Sequence, residues 1–302
     1  MKAQLRILGC SGGLPAHGRW TTSQLLLWDD QPYLIDCGEG AQIRLQQYYT
    51  KIQRIRHIFI SHLHGDHIYG LPGLLSSYTL GRRTASLTIY GPVGLRRWIE
   101  STLAFDLVHL GFELSIIEVA PGEEGIILES RKLLVKCIAL EHRIHCLGYL
   151  FSSHPDRNKN IKRESISQYS LTHGEIREIK EGADLERSDL HVPHSELTHP
   201  HSAQCYAFCT DTKYFDGLAM KLKGVTQLYL ECTYEAAFQD LAEKNYHCTT
   251  TDVIRVAKQC GCDRVLLGHY SGRYAHLDVI DREMRESGVN YVLSDDGMLL
   301  DL

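Results

Sequence analysis

The chain has 302 residues, a formal net charge of −5, 43% hydrophobic and 23% charged residues. This is the composition of an ordinary globular protein with room for a large core. It excludes a wholesale basic nucleic-acid binder but leaves room for a local basic patch. No segment is long and apolar enough to span a bilayer, and Met1–Gln4 enters a strand-like run with no signal-peptide pattern. An intracellular, cytoplasmic protein with no membrane partner is therefore expected. The ten cysteines are scattered, several in apolar runs, and are expected to be buried free thiols in a reducing compartment. Cys260-Gly261-Cys262 has no matching second pair and is not read as a structural zinc site.

Taken in order, Gln4–Leu8 reads as a strand, followed by the glycine-rich turn Gly9–Pro15. Its glycine spacing does not fit a dinucleotide fingerprint, so a backbone turn close to a ligand is expected. Gln24–Trp28 and Tyr33–Ile35 read as strands paired across Asp29–Pro32, and Ala41–Tyr49 as a helix. Ile55–Ile60 is a buried strand running into Ser61-His62-Leu63-His64-Gly65-Asp66-His67. A loop and helix follow to Leu80, then a strand at Leu87–Tyr90 and a helix carrying Leu95, Trp98, Ile99 and Leu103. Further strands are expected at Leu114–Val119, Gly125–Leu128, Leu133–Leu140 and Leu147–Phe151. From Ser152 to Ser202 the chain turns polar, with no core pattern, a short helix near Gly174–Lys180 and a basic run of Arg157, Lys159, Lys162 and Arg163. We read it as an inserted, flexible arm on a single domain of residues 1–302. Alternation then resumes with strands at Tyr206–Cys209, Leu228–Leu230 and Arg264–Leu267, and helices at Thr249–Gln259 and Leu277–Ser287. Val289–Leu293 and Met298–Leu300 are expected to pair with each other across Ser294–Gly297.

Four metal donors, His62, His64, Asp66 and His67, fall within six positions. That density suits a metal better than a packed core, where each buried imidazole or carboxylate would need its own partner. The same pattern recurs: an apolar strand ends and a donor follows, at His142, Asp211 and His269 as well. Sheets flanked by helices bring strand ends to one edge. A dinuclear centre is the economical reading, and imidazole with carboxylate suits zinc, with manganese or another divalent ion as alternatives.

With these motifs in place the chain resembles the metallo-β-lactamase superfamily, and within it the ribonuclease Z family of transfer-RNA 3′-processing endonucleases. The resemblance covers nearly the whole length. It rests on Leu8–Pro15, Ile35–Ala41, Ser61–His67 with Gly70–Gly73, Glu141–Arg143, Thr210–Thr212, Leu230–Tyr234, His247–Thr249 and Gly268–Tyr274. It implies a four-layer αββα sandwich of the α/β (α+β) class. It implies one metal on His62, His64 and His142, a second on Asp66, His67 and His269, and Asp211 bridging them, with two zinc ions per subunit. Asp66 would orient or deprotonate the attacking water, and His247, oriented by Glu231, would protonate the leaving oxygen. The resemblance further implies that residues 152–202 grip precursor transfer RNA within a homodimer, the basic run and Arg273 being candidate RNA contacts. The chain departs from the family pattern in four places. The arm has no Gly-Pro-rich tip, His17 and Arg19 replace a basic residue after Pro15, Leu230 precedes the motif glutamate, and Cys248 follows His247. The competing reading is a small-molecule hydrolase of the same superfamily, or a different phosphodiester substrate. Such an enzyme would need neither the Glu231/His247 pair nor the arm, and a silent RNA-binding scaffold would not need the full donor set. His191, His194, His199 and His201 are too irregularly spaced to be read as a further metal site.

Overall fold

The structure is a computed structural model that describes residues 3–49, 51–104, 110–154, 160–199 and 204–302. Its strands are β1 (Ala3–Gly9), β2 (Ser11–Gly12), β3 (Ser23–Trp28), β4 (Gln31–Ile35), β5 (His57–Phe59), β6 (Leu87–Pro92), β7 (Leu114–Val119), β8 (Gly125–Glu129) and β9 (Leu133–Leu140). They continue as β10 (Cys146–Ser153), β11 (Leu185–Arg187), β12 (Leu190–Val192), β13 (Cys205–Cys209), β14 (Gln227–Glu231), β15 (Arg264–Gly268), β16 (Tyr270–Ser271), β17 (Tyr291–Leu293) and β18 (Leu299–Asp301). The helices are α1 (Ala41–Tyr48), α2 (Gly65–Ile68), α3 (Leu71–Leu80), α4 (Leu95–Thr102), α5 (Arg163–Gln168) and α6 (His173–Lys180). The chain completes them with α7 (His194–Leu197), α8 (Leu218–Lys221), α9 (Gln239–Asn245), α10 (Thr250–Cys260) and α11 (Asp278–Ser287).

Two seven-stranded mixed sheets carry the fold, in the orders β18-β1-β3-β4-β5-β6-β7 and β17-β15-β14-β13-β10-β9-β8. Strand periodicity sends alternate side chains to different cores. Leu26 and Phe59 join the core shared by both sheets, whereas Leu25, Ile58 and Ile60 join a second core that includes Leu71, Leu74 and Leu75 of α3 and Leu95 and Ile99 of α4. On the far face of the other sheet, Val253, Val256 and Ala257 of α10 and Ile280 and Met284 of α11 are buried. Two sheets back to back with helices outside them are the expected αββα layering.

Each sheet has a parallel half: β4, β5, β6 and β7 in one, β13, β14, β15 and β17 in the other. Parallel strands end on the same edge, which is where the donors emerge. The turn Asp29–Asp30 is left-handed at both residues, and the strand resumes at Gln31, two residues earlier than the four-residue turn Asp29–Pro32 would allow.

One pairing differs from expectation. β17 and β18 do not form a hairpin: β17 pairs with β15 and β18 with β1, so the turn at Ser294–Gly297 crosses from one sheet to the other. Asp296 in that turn accepts hydrogen bonds from the Cys10 and Trp20 amides, which holds the crossing in place. The arm also holds more structure than its polarity suggests. Leu171, Ile179, Leu185, Val192 and Leu197 form a small core of their own under α5, α6, α7 and the β11–β12 hairpin. Those residues recur with no single helical or strand period, which hid them in the sequence. All ten cysteines are free, eight of them buried. No described helix is long and apolar enough to cross a membrane.

Candidate metal centre and its proton donor

Asp36 ends β4 beside the donor loop. Its fully buried carboxylate accepts from the Ser61 amide (2.7 Å), the Ser61 hydroxyl (2.8 Å) and His67 Nδ1 (2.7 Å). The Asp36 backbone is left-handed (φ 54°), a conformation that costs a non-glycine residue and persists only where its surroundings demand it. By accepting the hydrogen bond from Nδ1, Asp36 turns the His67 Nε2 toward the centre, where loss of its proton exposes a lone pair for metal. Similar partners orient the other imidazoles. His62 Nδ1 meets the Ser61 hydroxyl, His142 Nδ1 the Tyr246 carbonyl, and His269 Nδ1 the Thr233 hydroxyl.

The donors converge as two groups, His62, His64, His142 with Asp211, and Asp66, His67 with His269. In the first, His62 Nε2 and His142 Nε2 stand 3.0 and 3.2 Å from His64 Nδ1, and both are 3.6 Å from Asp211 Oδ2. In the second, His67 Nε2 is 3.3 Å from His269 Nε2 and 3.2 Å from Asp66 Oδ2. Asp211 Oδ1 lies 3.2 and 3.0 Å from those two imidazoles, so its carboxylate turns one oxygen to each group. A tetrahedral ion with bonds of about 2.0–2.1 Å has ligand–ligand edges of roughly 3.3–3.4 Å. The donor set therefore fits divalent metal in spacing as well as chemistry. None of His191, His194 and His199 enters these groups, and His194 instead bonds Asp184.

The charge distribution shows what stands in for metal. Burial dominates at His62, His64 and His142 and lowers all three. Burial also disfavours charge on His67 and His269, but the carboxylates outweigh it. Asp66, Asp211 and Asp36 push His67 well up, and Asp211 and Asp66 raise His269 to about 10. Burial likewise raises Asp66 and Asp211, yet the imidazolium charges around them hold both carboxyls well below the ordinary range. Protons on His67 and His269 supply the positive charge that a divalent ion would bring.

A cavity of about 280 Å³ opens over both groups, lined among others by Gly13, Tyr234, Asn245 and His247. The Gly13 amide donates to Asp66 Oδ2 (2.7 Å), so the glycine-rich turn reaches the centre. Gly12 permits that approach, since a Cβ there would stand 2.6 Å from the His269 ring. Across the cavity His247 Nδ1 bonds Glu231 Oε1 (2.7 Å). Glu231 is fully buried and also accepts from the Thr212 and Thr233 amides and the Thr233 hydroxyl. Burial works against charge on both partners, but each stabilises the other's ion, so His247 is raised and Glu231 lowered.

Thus nine predicted residues, His62, His64, Asp66, His67, His142, Asp211, Glu231, His247 and His269, meet in one place. Arg273 adjoins it, its guanidinium 4.4 Å from the Phe238 ring and 5.0 Å from the ring of cavity-lining Tyr234. Lys162 and Arg163 stand on the arm, none of whose described residues joins the lining, while Arg157, Lys159 and His201 lie outside the described residues. Asp36 and Thr233 were not singled out by sequence. Asp36 carried the same signal as the other donors, a carboxylate ending an apolar strand.

Metal donors at the facing ends of two stacked sheets define a protein of the metallo-β-lactamase fold. Solved structures agree. YhfI of Bacillus subtilis, a metallo-β-lactamase fold protein, matches with a TM-score of 0.71 at 17% identity over 100% of both chains. The short form of human tRNase Z matches with a TM-score of 0.71 at 24% identity over 98% of each chain. A family model described as anti-Pycsar protein Apyc1 matches residues 3–148, which hold the first five donors but not Asp211, Glu231, His247 or His269. Ribonuclease Z of Parabacteroides distasonis is 35% identical over 298 residues, 98% of either chain. The chain belongs to the ribonuclease Z family.

Proposed function

We propose that the protein is a metal-dependent endoribonuclease that removes the 3′ trailer of precursor transfer RNA just after the discriminator nucleotide. The observation that carries this reading is the Glu231–His247 pair opening onto the cavity shared by both donor groups. His62, His64 and His142 would hold one metal and Asp66, His67 and His269 the other, with Asp211 shared, zinc being the natural ion for such a set. When bound, the two ions polarise the phosphodiester and acidify water. Asp66, fixed by the Gly13 amide, orients the attacking water and takes its proton. Water oxygen bonds to phosphorus as the P–O3′ bond breaks. His247, kept protonated by Glu231, gives its proton to O3′. The transfer RNA leaves with a 3′ hydroxyl and the trailer with a 5′ phosphate.

The reading extends to a homodimer working in the cytoplasm, with the arm of residues 152–202 holding the transfer RNA away from the metals. The free cysteines suit a reducing compartment. The test is direct: purified protein is incubated with a trailer-bearing precursor, with zinc or manganese and with chelator. A metal-dependent cut after the discriminator is expected. An intact precursor alongside hydrolysis of small esters would favour the small-molecule hydrolase.

A further inference from the structure

A second cavity, which no step above uses, shares His247 with the cavity over the centre. It has a volume of about 250 Å³, and Lys213, Tyr214, Gln239, Glu243, Asp252 and Arg255 line it together with His247; Asp252 is engaged by the α10 cap and Gln239. A third hollow of about 440 Å³ continues from it, and Tyr214 and Arg255 wall both. The Arg255 guanidinium carbon lies 4.0 Å from the centroid of the Tyr214 ring. Lys213 stands beside them, 3.4 Å from Glu141 and over the Tyr246 ring.

The elements that position these side chains are the ones that position the chemistry. Lys213 and Tyr214 follow Asp211 and Thr212 in the loop after β13. Arg255 sits on α10, whose capping residue Thr249 comes two positions after His247. A stacked tyrosine–arginine pair is a flat, positively charged surface, and a nucleobase is the ligand chemistry that matches it. Lys213 adds a point charge for the phosphate. A small ester or lactam would use none of this.

The direction of cleavage says which nucleotide belongs there. O3′ departs toward His247, so the nucleotide that carries O3′ continues past that residue. In a precursor transfer RNA that nucleotide is unpaired, which leaves its base free to stack. We propose that Tyr214, Arg255 and Lys213 form the subsite for the unpaired nucleotide on the 5′ side of the scissile phosphate, its base stacking on the Tyr214–Arg255 pair. The inference rests on the proposed function and names the recognition element of that same site.

The test compares wild type, Tyr214→Ala and Arg255→Met on three substrates: a normal precursor, a precursor with an abasic discriminator, and bis(p-nitrophenyl) phosphate. Each variant is expected to lose on the order of 5- to 100-fold in kcat/KM on the normal precursor, the worth of one stacked base. The loss should fall mainly in KM, with hydrolysis of the small diester unchanged. Wild type should lose a similar factor on the abasic precursor, and the variants should lose nothing further there. Arg255→Met, at an exposed helix position, guards against misfolding of the tyrosine variant. Variant and abasic losses that multiply, losses shared with the small diester, or no loss at all would each overturn the subsite alone. A wild-type enzyme that leaves the normal precursor intact would overturn the reading of the whole centre, and the subsite with it.

Discussion

At the scale of single residues, the centre separates the candidate metal donors from the residues that orient them or face the same cavity. Asp36 belongs to neither donor group, but it accepts the hydrogen bond from His67 Nδ1 and braces Ser61, which in turn meets His62. Asp36→Asn should therefore lower metal affinity by about 10- to 100-fold, the usual cost of losing such a partner. Metal content measured during chelator titration checks this, and unchanged retention would reduce Asp36 to a fold residue. His247 predicts the opposite split. Its removal in His247→Ala should cost about a hundred- to ten-thousand-fold in turnover on precursor RNA, the worth of a general acid, with metal content unchanged. Loss of bound metal in that variant would make His247 a ligand instead. The donors were legible in the sequence because a histidine or aspartate directly after an apolar strand has few bland explanations. Asp36 met the same criterion, but it stands at the close of its strand with no histidine in the residues that follow it directly. Thr233 and the Tyr214–Arg255 pair left no signal, since a hydroxyl or a stacked cation acquires meaning only from what the fold sets against it.

At the scale of elements, the glycine-rich turn and the carboxyl-terminal crossing depend on each other. Asp296 accepts from Cys10, at the start of the turn, and from Trp20, five residues beyond its end, and the turn delivers the Gly13 amide to Asp66. Asp296→Asn should loosen the turn, so amide exchange at Cys10 and Trp20 should quicken and turnover should fall with the donor groups intact. Unchanged exchange at both amides would mean that the turn holds itself. The failed hairpin between β17 and β18 has the same origin. Local alternation around a Gly-containing turn suggests a hairpin, but each strand finds a longer edge to extend, β15 for one and β1 for the other. The arm is the third element, and its two ends are neighbours in the sheet: Ser152 pairs with Cys205, and the Ser153 amide donates to Gln204. Its apolar cluster is separate from the main cores. Replacing residues 155–198 with a short glycine-rich turn should thus leave the sandwich folded. Such a variant should lose precursor cleavage while still hydrolysing bis(p-nitrophenyl) phosphate. Equal loss on both substrates would make the arm a folding element.

At the scale of the whole molecule, the metal centre is a joint between the two sheets. The β5 loop of one sheet supplies His62, His64, Asp66 and His67, and the other supplies His142, Asp211 and His269. Metal held there would therefore stabilise the fold as well as serve the reaction, because it would bind the assembled site and not the unfolded chain. In the metal-free protein, protons on His67 and His269 take over part of that task. His269 titrates at about 10 in the fold against about 6.5 in an unfolded chain. The stability contributed by its proton is thus complete below about pH 6.5 and is lost as pH rises through about 10. His67, also raised, acts in the same direction. In the metal-loaded protein these nitrogens have exchanged protons for metal, so that loss does not occur. Metal uptake must also release protons, which strengthens binding as pH rises. Both effects have the same sign: the difference in Tm between metal-loaded and chelator-treated protein should widen steadily from pH 6.5 to 9.5. Scanning calorimetry across that range, with and without chelator, measures it. A difference that stays constant or narrows would mean that the imidazoles of the metal-free centre are neutral and that its carboxylates are balanced in some other way.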